Sequence, residues 1–157
     1  PSNQIRSGYP THGGQIKNKM RGFLDLRRAT STVYYALFHC LAESCADCLI
    51  GSQGADRSDR AWKQVYRALD HGPAKKACDD DKIMPRFPPE VRDFASHFSE
   101  MQKKREQADY RPDAMLYKKR CLWDLDIAEN VIKGFKGSPL KDRRAFAAFV
   151  LLKLRWD

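Results

Sequence analysis

The sequence predicts an all-α protein, an antiparallel bundle of about five helices. Two observations carry that expectation. Apolar residues recur at steps of three and four in several separate segments, the signature of amphipathic helices. No segment shows the strict alternation of a half-buried strand, and no internal repeat of solenoid length is evident.

Residues 1–15 contain Gly8, Pro10, Gly13 and Gly14 with few large apolar side chains, and read as an irregular leader. Residues 16–157 read as one helical domain ending in a helical extension. The first helix is expected over about Leu24 to Leu49. Leu26, Val33, Leu37 and Leu41 recur there at near-helical spacing, and Gly51 to Gly54 stops it. A second helix is expected from Ser58, a good N-cap, to His71, with Trp62, Val65, Tyr66 and Leu69 on one side. His71 would then close that helix, where a cation is favourable. Gly72-Pro73 would break the helix, leaving a short stretch over 74–78. Asp79-Asp80-Asp81 and Pro85, Pro88 and Pro89 mark a loop, its aspartates solvated or capping.

The third helix starts at Pro89-Glu90, where proline suits the first turn. Its stripe is Val91, Phe94, Phe98 and Met101, and the same steps lead on to Arg105 and Ala108. Arg105 therefore falls on the packed face, where a guanidinium must snorkel, pair, or line a polar cleft. Pro112 ends this helix, because it biases the residue before it out of the α region. A fourth helix is expected over about Asp113 to Phe135, with Cys121, Leu125, Ala128, Ile132 and Phe135 as its stripe. Ser138-Pro139 opens a fifth, running to about Leu154 on Phe146, Phe149, Val150 and Leu152.

Hydrophobic residues make up 42% of the chain and charged residues 31%, a globular rather than a disordered balance. No run approaches the ~20 apolar residues of a membrane helix. The five cysteines, an odd count without an export signal, fit free thiols and a cytoplasmic location. Cys45-x-x-Cys48 has no second CxxC and reads as helix packing. No metal or cofactor is expected. The formal net charge of +9 is uneven, with +4 falling within residues 103–120 around Arg105. Such an excess suits either a solvated surface or a polyanion partner.

Two segments belong together. The first is Arg28-Ala-Thr-Ser-Thr-Val-Tyr-Tyr-Ala-Leu-Phe-His39, and the second is Arg105-Glu-Gln-Ala-Asp-Tyr-Arg-Pro112 on a later helix. The pair resembles the HEPN superfamily, in the branch with a YYAxFH first helix and an R-x-x-A-D-Y-x-P segment. The likeness spans roughly residues 20–136. It implies a small helical bundle acting as a homodimer. It further implies a place in toxin–antitoxin or phage-defence systems, as a metal-independent endoribonuclease or as a non-catalytic module that binds RNA or a nucleotidyltransferase. Catalytic members carry R-x4-Y-x-H. Here Arg105 and Tyr110 fit, and Pro112 stands in the place of the histidine. Proline moves no proton, and Arg105, always protonated, is a poor base but a good bidentate phosphate ligand.

Arg105, Tyr110 and His39 are therefore the catalytic candidates. Lys103, Lys104, Arg105, Asp109, Tyr110, Lys118, Lys119 and Arg120 are the candidates for holding RNA phosphates. His39 reads first as a packed histidine with one hydrogen bond, and otherwise as a partner of Arg105 or Asp109 in one cleft. Asp109 reads as an intrahelical ion pair with Arg105 or as an orienting group. Lys103-Lys104 and Lys118-Lys119-Arg120 read as phosphate contacts or as a solvated rim.

Overall fold

The structure is a computed structural model that describes the backbone of residues 12–153 and the side chains from Lys19 onward. The described residues form six helices and one short 3-10 turn, with no strand among them: α1 His12–Ile50, α2 Asp59–Ala68, α3 His71–Cys78, the turn Met84–Arg86, α4 Pro89–Tyr110, α5 Lys118–Gly137 and α6 Leu140–Leu151. The all-α bundle is as the periodicity predicts, with one more helix. The part of the irregular leader before His12 lies outside the described residues, and residues 12–15 are already helical.

α1 is the organising element. Its 39 residues span about 58 Å at 1.5 Å per residue, and α2, α4, α5 and α6 all pack on it. One window of α1 within Lys19–Ile50 has a mean hydropathy of 1.2, apolar enough by length and composition to cross a membrane. A count of uninterrupted apolar runs passes over it. Half of that window is buried against the other helices, the situation of a core helix. Gly51, at φ 122°, ends α1 in a conformation that L side chains rarely adopt.

The core lies where the stripes of α1 and α4 meet. Tyr34, Leu37, Leu41, Val91, Phe94, Phe98 and Met101 are fully buried, joined by Phe135 of α5 and Phe146 of α6. Phe94 and Phe135 stack at 4.4 Å between centroids, and Phe135 meets Phe146 edge-on at 5.9 Å. Buried cysteines pack among them. Burial pushes the Cys45 thiol up to about 12 and the Cys40 thiol to about 11.

Several boundaries differ from the periodic reading: α1 starts at His12 rather than near Leu24, and Pro139 holds the N-cap of α6 while Ser138 Oγ donates back to the Phe135 carbonyl at 2.7 Å. α2 stops at Ala68, and His71 opens α3 instead of closing α2. Asp70 holds the extended N-cap conformation (φ −116°, ψ 137°), so Pro73 sits in a first turn that needs no N–H donor. α5 starts at Lys118 rather than Asp113, because residues 111–114 close a turn, with the Ala114 N–H donating to the Arg111 carbonyl at 3.3 Å. Leu125 is exposed rather than in the core, as is Leu152, which lies past the end of α6. The N-cap at Ser58 is as expected, its Oγ accepting from the Ala61 N–H at 3.2 Å. Asp80 caps the acidic loop by accepting from the N–H groups of Lys82 and Ile83, both at 3.0 Å.

Candidate nucleic-acid interface

α4 keeps its regular register through Ala108, which carries Arg105 onto the face turned toward α1. Its guanidinium lies 5.4 Å above the Tyr34 ring and 5.5 Å above the Tyr35 ring, and its side chain is only 15% exposed. Nε donates to Asp109 Oδ2 at 3.0 Å. The other carboxylate oxygen of Asp109 accepts from Ser31 Oγ, also at 3.0 Å. Asp109 thus ties α4 to α1 and fixes the arginine. Burial pulls the Arg105 pKa down, but the Asp109 hydrogen bond and nearby charge outweigh it, so the net shift is upward. The side chain stays cationic.

The first residue of α3 completes the cluster. His71 Nδ1 lies 2.5 Å from the Tyr34 hydroxyl, and its ring stacks on Phe38 at 4.1 Å. Burial pushes the Tyr34 phenol up, against the pull of Arg105, so it keeps its proton. Burial, reinforced by Arg105, holds His71 below the usual histidine range. Either imidazole tautomer satisfies this contact, the phenol donating to a bare Nδ1 or accepting from Nδ1–H. Placing His71 at a helix start also removes the favourable C-terminal field expected for a cation there.

These groups border a groove of about 690 Å³ lined by His71, Gln102, Lys103, Arg105, Tyr110 and Arg111, among others. Lys103 and Arg111 are exposed, and Tyr110 is 75% exposed. Gln102 is buried, and its Oε1 has no hydrogen-bond partner. The groove therefore offers the cations Lys103, Arg105 and Arg111 and the Tyr110 phenol against one carboxylate, Glu106, a net positive set suited to an anion.

Of the residues expected at the site, the structure brings Lys103, Arg105, Asp109 and Tyr110 together. It places Lys104 and Arg120 elsewhere. Lys104 Nζ lies 2.7 Å from both Glu100 and the buried Asp124, and Arg120 reaches Glu100 at 3.3 Å. Their charges hold α4 to α5. Lys118 and Lys119 are exposed in the first turn of α5, and Lys118 lines a different, apolar groove. His39 faces α2, its Nδ1 2.6 Å from the Tyr66 hydroxyl. His71, Arg111, Gln102 and Ser31 were not expected at the site. His71 had a readable signal, Asp-His-Gly-Pro, an acidic cap followed by a first-turn proline. The chain matches no family model, no curated protein and no solved structure.

Proposed function

We propose that the protein is an RNA-binding module of the HEPN type, acting as a homodimer and holding RNA phosphates in the Arg105 groove. The observation that carries this reading is the fixed guanidinium. Arg105 is half-buried against aromatic rings, oriented by Asp109, and flanked by Lys103 and Arg111 in one groove. A pre-oriented fork loses little freedom when it binds a phosphate. The place in a toxin–antitoxin or defence system rests on the resemblance of Arg28–His39 and Arg105–Pro112 to that superfamily.

Fluorescence anisotropy with a labelled single-stranded RNA tests the reading. Affinity falls with rising salt as counterions return to the phosphates. Arg105→Ala lowers affinity roughly tenfold, in line with about 1.5 kcal/mol for a charged hydrogen bond. Arg105→Lys keeps the charge, loses the fork and recovers only part of it. Affinity indifferent to both salt and Arg105 would remove the proposal.

His71 beside Arg105 supports a second reading, a metal-independent endoribonuclease in which the histidine comes from α3 rather than from position 112. Its Nε2 lone pair would have to face the 2′-hydroxyl, with the ring proton on Nδ1 donated to the Tyr34 hydroxyl. RNA cleavage in EDTA that His71→Asn abolishes would establish this reading. Intact RNA across varied substrates leaves the binding module.

A further inference from the structure

We infer that the edge formed by α1 and α2 is a stacking platform for the bases of a single-stranded RNA whose phosphates occupy the Arg105 groove. This rests on the reading of that groove and adds the part of the ligand that the groove does not touch.

Four aromatic rings run in series along this edge. Trp62 and Tyr66 of α2 lie 5.2 Å apart at 22° between planes. Tyr66 and His39 lie 6.1 Å apart at 10°, and His39 and Tyr35 lie 6.2 Å apart at 28°. An arginine caps each end, Arg57 at 5.0 Å over Trp62 and Arg105 at 5.5 Å over Tyr35. The series therefore leads directly into the candidate phosphate site.

The rings are both fixed and accessible. The Trp62 indole N–H donates to Asp47 Oδ1 at 2.8 Å, and the Tyr66 hydroxyl meets His39 Nδ1. With their polar atoms engaged, the rings are held in place before any ligand arrives, which lowers the ordering cost of binding. Yet α2 contributes no buried residue. Tyr35 and His39 are exposed, and Trp62 and Tyr66 are half-buried. A helix that served only to cover the core would bury its aromatic stripe.

Charge points to the occupant. Arg60, Lys63 and Arg67 recur at steps of three and four, which places them on one side of α2. At about 100° per residue they fall toward the Tyr66 side of the aromatic stripe. All three are exposed, and none enters an ion pair among the described residues. Free cations beside sequential aromatic faces are the combination that holds single strands, phosphates on the charges and bases on the rings.

The test compares the full chain's affinity for a labelled oligouridine dodecamer and for its abasic counterpart, by anisotropy at fixed salt. The abasic strand binds at least tenfold more weakly, on the order of one lost stacking contact. Trp62→Leu, at the end of the series away from Arg105, weakens the oligouridine roughly fivefold or more but leaves the abasic strand unchanged. The surface double variant Lys63→Ala/Arg67→Ala, with its thermal melt confirmed as native, weakens both strands. Equal binding of the two strands, with loss on Arg105→Ala, would overturn the platform and keep the groove. Loss on base removal and on the double variant, with Arg105→Ala neutral, would keep the platform and overturn the groove. An oligouridine that does not bind overturns both.

Discussion

Two histidines are held neutral by their surroundings. His97 is buried on α4, with its Nε2 3.1 Å from the Asp124 carbonyl, and burial depresses its pKa. His71 is depressed by burial and by Arg105. Both would titrate near the ordinary histidine value of 6.5 in the unfolded chain. Below that pH the unfolded state binds protons that the folded state refuses, so stability falls as the pH falls. The loss begins at about pH 6.5 and levels off once the depressed folded values are passed. Asp79 and Glu100, both lowered in the folded protein, add a further loss below their ordinary values of 3.8 and 4.5. The melting temperature is therefore expected to be level from pH 8 to 7 and to drop between pH 6.5 and 5. His97→Gln, which keeps a donor for the Asp124 carbonyl, should flatten the drop. A melting temperature constant across that window would contradict the assignment of neutral histidines.

α2 is the weakest of the packed helices on physical grounds. It has ten residues and no buried one, so neither intrinsic propensity nor packing holds it strongly. Its Ser58 cap and its contacts with α1 are what keep it in place. Hydrogen exchange should show the α2 amides opening before those of α4, in line with a local rather than global unfolding unit. Ser58→Ala should speed α2 exchange several-fold, corresponding to about 1 kcal/mol, with the global melt nearly unmoved. Protection in α2 equal to that in α4 would refute it. Such differences between elements also explain what the sequence could and could not disclose. α4 is legible because one stripe, Val91 to Ala108, obeys a single period and all its members but Arg105 are buried. α3 is illegible by period because eight residues give barely two turns and its Gly-Pro pair reads as a stop. Arg105 stood out as a charge on an apolar stripe. Its partners Ser31 and His71 come from other helices, and only tertiary packing selects which of many polar side chains meet. Trp62 and Tyr66 show the same limit. Their spacing announces a helix face, but nothing local says that the face stays half open.

At the scale of the whole molecule, an apolar surface stands without a partner among the described residues. A groove of about 630 Å³ runs between α1 and α5, lined by Leu26, Ala29, Val33, Leu122 and Leu125, with Asp25 and Lys118 also on its wall. Leu24 and Met20 of α1 and Trp123 of α5 are exposed. The homodimer proposed above would use this face, because a two-fold interface must be self-complementary. The patch holds both a groove and protruding leucines, and it holds one acidic and one basic residue with no ion pair of their own among the described residues. Two-fold pairing can set leucines into grooves and Asp25 of one copy opposite Lys118 of the other. Burial of a leucine contributes roughly 1.5 to 3 kcal/mol, so a few such contacts per copy outweigh the two pairs of rim charges. Sedimentation velocity should therefore find a dimer at micromolar concentration that persists in high salt. Leu122→Lys should shift it to a folded monomer, since an exposed position tolerates the charge in the single chain but not in a closed interface. A wild-type chain that sediments as a monomer, or a dimer that Leu122→Lys leaves intact, would exclude this face as the interface. The monomeric variant also separates two scales of binding. The Arg105 groove and the ring series lie within one chain, so their per-chain affinity for a short oligouridine should survive, while a longer strand that bridges both copies should lose the gain from two linked sites.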